Sequence, residues 1–174
     1  PGVNLFEFEK KVHSQNGEDG IIEKIFDVIG VTDKCYVEFG VEDGSECNTR
    51  YLRQRGWKGL MMDGSNFNKK INLQQEFIYA SNVVGLFKKY KIPTTFDFLS
   101  VDIDYNDFYV LNEILKVHRP RVICAEYNSF KGLEDAVVVY DPLMMWDHTK
   151  YFGASIVAFN KLFIAHNYTL VGGT

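Results

Sequence analysis

The sequence has little of what nucleic-acid-binding and membrane-spanning proteins need. Its formal net charge is −4, so it offers no basic excess for a phosphate backbone. No apolar run approaches the ~18–20 residues that a bilayer span requires. Residues 1–10 lack the basic start and continuous apolar stretch of a signal peptide. These absences predict a cytoplasmic protein that binds neither nucleic acid nor a membrane.

Cysteine is also scarce. The three residues, Cys35, Cys47 and Cys124, are odd in number and lack the spacing of metal ligands, so we expect reduced thiols in an intracellular protein. A chain of 174 residues is long enough for one domain with a sizeable core. We therefore expect a single domain over residues 1–174, with residues 1–13 as an N-terminal extension.

Short apolar stretches alternate with helical patterns along the chain, which predicts an α/β domain with a doubly wound, mostly parallel, Rossmann-like sheet. The chain ends on its newest strand, so we expect that the last strands of such a sheet are missing. The predicted strands are residues 35–39, 59–62, 77–80, 96–103, 121–125 and 168–171. The predicted helices run from a cap at Ser14 or Asn16 to Gly30, over 47–55, over 66–75, from Ser81 or Asn82 to Tyr90, from a cap at Asp107, and over 153–166. Residues 128–150 are expected to be irregular.

An acidic glycine loop follows the first predicted strand, at the place where a doubly wound sheet binds nucleotides. It contains Gly40 and Gly44, but it lacks the G-x-G-x-x-G pattern of dinucleotide sites. Its acids are Glu38, Glu42, Asp43 and Glu46. Four carboxylates repel a pyrophosphate and favour a cofactor with cationic groups and no phosphate, which describes S-adenosylmethionine.

Other predicted cofactor contacts lie close to this loop or at the same edge of the sheet. Asp63 ends the second strand, about 25 residues beyond Glu38, where a carboxylate binds ribose hydroxyls; the alternative is a helix cap. The full predicted cofactor set is Gln15, Glu38, Gly40, Asp43, Gly44, Asp63, Gly64 and Asp102. For Gln15, which precedes the first helix, a capping role of the Ser14-Gln15 pair is equally open.

A second group of acids follows the later strands. Asp102 and Asp104 stand two residues apart after one strand, and Glu126 follows the neighbouring strand. Their oxygens suit Mg²⁺ or another divalent cation. Without a metal, Asp102 or Asp104 is a candidate general base. The structural alternative is that Asp104 and Asp107 cap the next helix and Asp102 bonds backbone amides. His148, in the irregular segment, is a further candidate for catalysis, although a surface role is the commoner one.

Several motifs together resemble the FkbM-type branch of the class I S-adenosylmethionine-dependent methyltransferases. They are SQNGEDG, VEFGVEDGSECNT, GWKGLMMD, LSVDIDYND, PRVICAEYN and YFGASIVAFNKL, in residues 14–171. The resemblance implies a seven-stranded methyltransferase sheet and methyl transfer to oxygen, commonly on sugars or other small hydroxylated metabolites. Glu38 and Gly40 match the family's first cofactor motif, Asp63 its ribose carboxylate, and Asp102 the acid after strand four.

Two departures from the family pattern stand at the predicted site. Tyr105 replaces a usual glycine after the paired aspartates, which puts the turn and any metal there in doubt, and Cys47 replaces a usual serine. Two other readings stay open: a non-catalytic methyltransferase-like binding module and an NAD-type oxidoreductase. The acid-crowded loop disfavours the second.

Overall fold

In a computed structural model that describes residues 4–173, the chain forms one five-stranded, all-parallel sheet with helices on both faces. The strand order is β3-β2-β1-β4-β5. The predicted α/β, Rossmann-like class is confirmed. The strands are β1 Cys35–Phe39, β2 Lys58–Asp63, β3 Leu73–Gln75, β4 Thr95–Val101 and β5 Arg119–Ala125.

Five α-helices and three short 3₁₀ helices connect and flank these strands within the described residues. The α-helices are α1 Glu18–Ile29, α2 Arg50–Gln54, α3 Val83–Lys89, α4 Asp107–Val117 and α5 Ile156–Ala165. The 3₁₀ helices are Leu5–Phe8, Lys69–Ile71 and Ser129–Lys131. None of the helices in residues 4–173 combines the length and the apolar character needed to cross a membrane.

The core has two layers, one on each face of the sheet. On one face, residues of α3, α4 and α5 such as Phe87, Ile114 and Phe159 pack against the sheet. On the other face, Phe26 of α1 packs edge-on against Trp57, with ring centroids 4.8 Å apart. The apolar periodicity of the predicted helices is what places these side chains inward.

Helix α1 begins later than either predicted cap. Its N-cap is Gly17, in a left-handed conformation with φ of 99°. Ser14 still contributes, because its hydroxyl accepts a hydrogen bond from the backbone N–H of Asp19 at 3.1 Å. Asn16 does not cap the helix with its side chain, so the Asn16 alternative was wrong, whereas the predicted stop at Gly30 is confirmed.

Three secondary-structure predictions were wrong. Residues 66–75 form a 3₁₀ turn and then β3 instead of a helix, because Leu73–Gln75 pair with Met61–Asp63 on the sheet edge. The third strand is therefore not at 77–80. Residues 168–171 do not join the sheet; there the Tyr168 hydroxyl donates to the carbonyl of Pro120 at 2.8 Å.

The residues before α1 dock onto that helix instead of extending away. A side chain at Gly20 would place its Cβ 2.0 Å from the carbonyl oxygen of Phe8, so glycine permits this close contact. The predicted domain covers residues 1–174 and its N-terminal extension residues 1–13. Residues 1–3 and 174 of that range lie outside the described residues.

Candidate functional site

The acidic glycine loop lies at the carboxyl end of β1, as predicted. Gly40 has φ of 69°, and a Cβ there would stand 1.4 Å from the carbonyl oxygen of Asp102. Only glycine allows this approach. The contact joins the loop after β1 to the residues after β4, so the two predicted groups of acids share one edge of the sheet.

Glu38 does not face this edge. It is 3% exposed, and its carboxylate accepts hydrogen bonds from the backbone N–H groups of Asn48 at 2.8 Å and Thr49 at 3.0 Å and from the Thr49 hydroxyl. Burial raises the pKa of Glu38, and these hydrogen bonds oppose that rise. Glu38 therefore holds the turn before α2. Its direct contact with a cofactor stays a prediction.

The other acids of the loop do not line one cleft either. Glu46 pairs with Lys11 at 3.7 Å on the surface. Asp43 is exposed and accepts from the backbone N–H of Ser45 at 2.8 Å, and hydrogen bonds to Ser45 lower the pKa of Asp43. Arg50 also donates to the Ser45 carbonyl at 2.6 Å. The predicted cluster of four carboxylates is thus dispersed.

Asp63 ties the end of β2 to the glycine loop. One of its oxygens accepts from the backbone N–H of Glu42 at 3.0 Å, and the other from Ser65 and Asn66. Among the described residues, the first oxygen accepts a hydrogen bond from Glu42 alone, and it can accept a second one. The next residue, Gly64, packs against a ring, since a Cβ there would lie 2.8 Å from Phe77.

The second group of acids comes together as predicted. One carboxylate oxygen each from Asp102, Asp104 and Glu126 lies within 4.8 Å of the others. Desolvation and the charge of Asp104 raise the pKa of Asp102, and desolvation and the charge of Asp102 raise the pKa of Glu126. Hydrogen bonding between these two side chains adds to the rise in the pKa of Glu126 and opposes the rise in the pKa of Asp102.

Beneath this cluster, Asp107 is almost fully buried at the start of α4. One of its oxygens accepts from the backbone N–H of Ile103 at 2.8 Å. The N-cap of α4 is Asn106, so the predicted cap at Asp107 was wrong by one residue. The other oxygen of Asp107 has no hydrogen-bond partner among the described residues. Burial raises the pKa of Asp107 to about 7, and the charge of Asp102 adds to the rise.

The turn after β4 accommodates Tyr105 without a glycine. The residue in the left-handed conformation is Asp104, with φ of 67°, and aspartate tolerates that region better than most residues. Tyr105 is buried and packs edge-on against Tyr151, with ring centroids 6.2 Å apart. Tyr105 therefore anchors the chain directly after the irregular segment to the turn that carries Asp104.

His148 is exposed on that irregular segment and also has a left-handed backbone, with φ of 64°. Desolvation raises the pKa of Asp104, whereas the charge of His148 lowers it. Asp104 and His148, two of the three predicted catalytic residues, are thus electrostatic neighbours.

A cavity of about 330 Å³ opens beside β4 and β5. Of the predicted site residues, Gln15, Asp102 and Glu126 line it. The remaining predicted residues do not: Glu38, Gly40, Asp43, Gly44, Asp63, Gly64, Asp104 and His148. The predicted set is therefore divided between a β1–β2 part and a β4–β5 part of the same edge.

Gln15 reaches the cavity because the chain before α1 is tightly held. The Asp19 carboxylate accepts from three consecutive backbone N–H groups, those of Val12, His13 and Ser14, at 2.6–2.9 Å. This arrangement fixes the path of the chain immediately before Gln15.

Asn48 lies at the same cavity but is not among the predicted site residues. Its side chain lines the cavity and donates to the Ser100 hydroxyl at 3.0 Å. Its backbone N–H donates to Glu38. The only sequence signal was its place directly after the acidic loop, which does not distinguish a cavity residue from a surface one.

A scan against protein-family models finds no matching family, and a search of curated proteins finds no match. The geometry of this edge is therefore the basis for a functional proposal.

Proposed function

We propose that the chain is an S-adenosylmethionine-dependent methyltransferase that methylates a hydroxyl group of a small molecule. The observation that carries the proposal is the position of the Glu38 carboxylate. It occupies the backbone N–H groups of Asn48 and Thr49 just before α2. In dinucleotide sites the pyrophosphate binds amides at the corresponding place, before the helix that follows the first strand.

A buried carboxylate at those amides leaves no donors there for a phosphate. A phosphate would have to displace Glu38 and would add negative charge beside Asp102, whose pKa the charge of Glu38 already raises. An adenosine cofactor without phosphate avoids both penalties. S-adenosylmethionine also carries an ammonium and a sulfonium group, which complement the acids of this edge.

Asp63 and Gln15 are the residues that would hold such a cofactor at its two ends. The Asp63 oxygen that faces the Glu42 N–H has capacity for a ribose hydroxyl. Gln15 and Asp102 line the cavity near β4 and offer polar atoms to the amino-acid part. The close approach of Gly40 to Asp102 makes these two parts contiguous.

The cofactor would supply an activated methyl group on sulfur. The acids after β4 and β5 would orient the acceptor hydroxyl and receive its proton. Transfer of this methyl group would form the new carbon–oxygen bond, break the carbon–sulfur bond and leave its electron pair on sulfur. Positioning of the acceptor oxygen contributes much of the rate in such a displacement.

The predicted divalent cation is part of this proposal. Three carboxylate oxygens within 4.8 Å of one another match the ligand type that Mg²⁺ and Mn²⁺ prefer. A cation would also relieve the repulsion among these three carboxylates, which raises the pKa values of Asp102 and Glu126. Binding of Mn²⁺, followed by electron paramagnetic resonance, should be lost in Asp104→Asn; equal binding by the variant would remove the metal from the proposal.

Calorimetry with S-adenosylhomocysteine tests the cofactor. Binding at micromolar concentrations is expected for the intact protein, with no binding of NADH. Asp63→Asn should weaken binding, whereas Glu46→Gln, a surface change at the Lys11 pair, should not. Absence of binding to folded protein would refute the proposal, and binding of NADH in place of S-adenosylhomocysteine would favour the oxidoreductase.

A non-catalytic binding module is the remaining alternative. It would bind S-adenosylhomocysteine but transfer no methyl group to any member of a broad panel of hydroxylated acceptors.

The predicted cytoplasmic location also belongs to this proposal, and the unpaired state of all three cysteines accords with it.

A further inference from the structure

The cavity beside β4 and β5 changes from polar to apolar along its length. Every second residue of a strand lies on the same face of the sheet. On the face that α1 covers, three rows of such residues line the cavity. From the carboxyl ends of the strands inward, the rows are Asp102 with Glu126, Ser100 with Cys124, and Phe98 with Val122. At about 3.3 Å per residue, the acids lie about 13 Å from the innermost row.

The walls of the inner part are apolar and incompletely covered. Ile21 and Ile25 of α1 and Val122 of β5 all line the cavity, and all three are only half-buried. Among the described residues β5 pairs with β4 alone, and the cavity continues past this free edge to Phe159 and Phe163 of α5. A ligand in the cavity would therefore remove apolar surface of both helices from water, which is favourable.

The two inner rows offer a ligand few hydrogen bonds. The Asn48 side chain already donates to the Ser100 hydroxyl at 3.0 Å and to the Cys124 sulfur at 3.6 Å. A ligand hydroxyl placed deeper, beside Phe98 and Val122, would lose its hydrogen bonds with water without replacement. The inner part therefore disfavours a sugar and favours a hydrocarbon chain.

The charged side chains of the cavity have one sign. Glu18, Asp102 and Glu126 line it, and no lysine, arginine or histidine is among the described residues that do so. A carboxylate or phosphate on a ligand would meet these acids without a cationic partner, which discriminates against such ligands. The polar end of the cavity is therefore suited to a head group without negative charge.

We propose that the cavity binds the acceptor of the methyl transfer and that this acceptor is an amphiphile with an alkyl chain. Its hydroxyl group lies at Asp102 and Glu126, and its chain extends inward past Ile25 to Val122. A mostly apolar cavity with a few polar groups at one end is the usual composition of a small-molecule site. This inference rests on the proposed function, in which the acids after β4 and β5 orient the acceptor hydroxyl.

Saturation-transfer NMR on the full chain tests the inference with unbranched alkanols from butanol to octanol. Affinity should rise about three- to fourfold with each added methylene, because each one buried contributes a similar free energy. At neutral pH, octanol should bind at least about tenfold tighter than octanoate, which has the same chain with a charged head group. It should also bind at least about tenfold tighter than methyl glucoside, which has hydroxyls but no alkyl chain.

Variants of Val122 test where the chain lies. Val122→Phe fills the innermost row, so it should bind butanol within about twofold of the wild type but octanol at least about tenfold more weakly. Val122→Thr keeps the branched shape and adds a hydroxyl, and it should weaken octanol binding by at least about fivefold. The matched control Val28→Phe, at an exposed position of α1, should change both affinities by less than about twofold.

The inference is overturned if affinity does not rise with chain length, if octanoate or methyl glucoside binds as tightly as octanol, or if both Val122 variants bind octanol normally. Octanol and S-adenosylhomocysteine should bind together, and displacement of one by the other would also overturn it. S-adenosylhomocysteine that binds to a protein without alkanol binding overturns this inference alone. Alkanol binding without S-adenosylhomocysteine binding refutes the proposed function, and the acceptor role with it.

Discussion

Asp97, at the start of β4, carries the most quantitative prediction. Its side chain is buried and accepts hydrogen bonds at 2.8–3.0 Å from the backbone N–H groups of Thr32, Asp33 and Lys34, from the Thr32 hydroxyl and from Arg121. These bonds hold the α1–β1 connection at the amino end of the sheet, opposite the candidate site. Asp97→Asn should therefore lower stability without altering the ligand-binding edge.

The pKa of Asp97 sets the size of the effect. Burial alone would raise this pKa, but the hydrogen bonds from Arg121, Thr32 and Lys34 outweigh burial and lower it from 3.8 to about 2. At about 1.4 kcal/mol per pH unit, the carboxylate stabilises the folded state by about 2–2.5 kcal/mol at pH 7. The stabilisation is complete well above the unfolded pKa, falls to about half at pH 3, and is lost as the pH drops through the folded pKa.

Urea unfolding of the wild type and Asp97→Asn at pH 7 and pH 3 measures this contribution. At pH 7 the variant's midpoint should fall by about 1 M urea, given a typical slope of about 2 kcal/mol per M. The difference in unfolding free energy between the wild type and Asp97→Asn should be smaller by about 1 kcal/mol at pH 3 than at pH 7. The control Asp27→Asn, on the exposed side of α1, should have an unfolding free energy within about 0.5 kcal/mol of the wild type at both pH values. If the unfolding free energies of the wild type and Asp97→Asn differ by the same amount at pH 7 and pH 3, the assigned pKa effect is wrong.

Three further predictions concern stability and reactivity. Gly40→Ala should destabilise the fold by more than about 3 kcal/mol in the same urea assay, because a Cβ would overlap the carbonyl of Asp102. The control Gly56→Ala should cost only about 1–2 kcal/mol, because Gly56 also has a positive φ, of 81°, but has open space around it. Ser155→Ala removes the N-cap of α5, which accepts from Ala158, and should lower the unfolding free energy by about 1 kcal/mol, against little change for the exposed Ser81→Ala. Burial raises the pKa of the three cysteine thiols to between about 11 and about 12. All three should therefore react slowly with a thiol reagent at pH 8 until urea unfolds the chain. Fast reaction of the folded protein would show that burial does not protect the thiols.

The sequence by itself determined the layer architecture and most of the strands. Runs such as residues 35–39 and 59–62 are apolar, short and bounded by glycine or charged residues, and burial of such a run depends mainly on its own composition. For the same reason, the acids that follow each run were correctly expected at the carboxyl edge, and Asp102, Asp104 and Glu126 do come together there.

Tertiary structure decided which of those acids line the cavity beside β4 and β5. Glu38 and Asp102 look alike in sequence, each an acid at the end of an apolar run, yet Glu38 turns inward because the N–H groups of Asn48 and Thr49 lie beneath it. The edge strand β3, only three residues long, is a strand because β2 offers it hydrogen bonds. Partners far apart in the chain meet only after packing, so local patterns do not encode them.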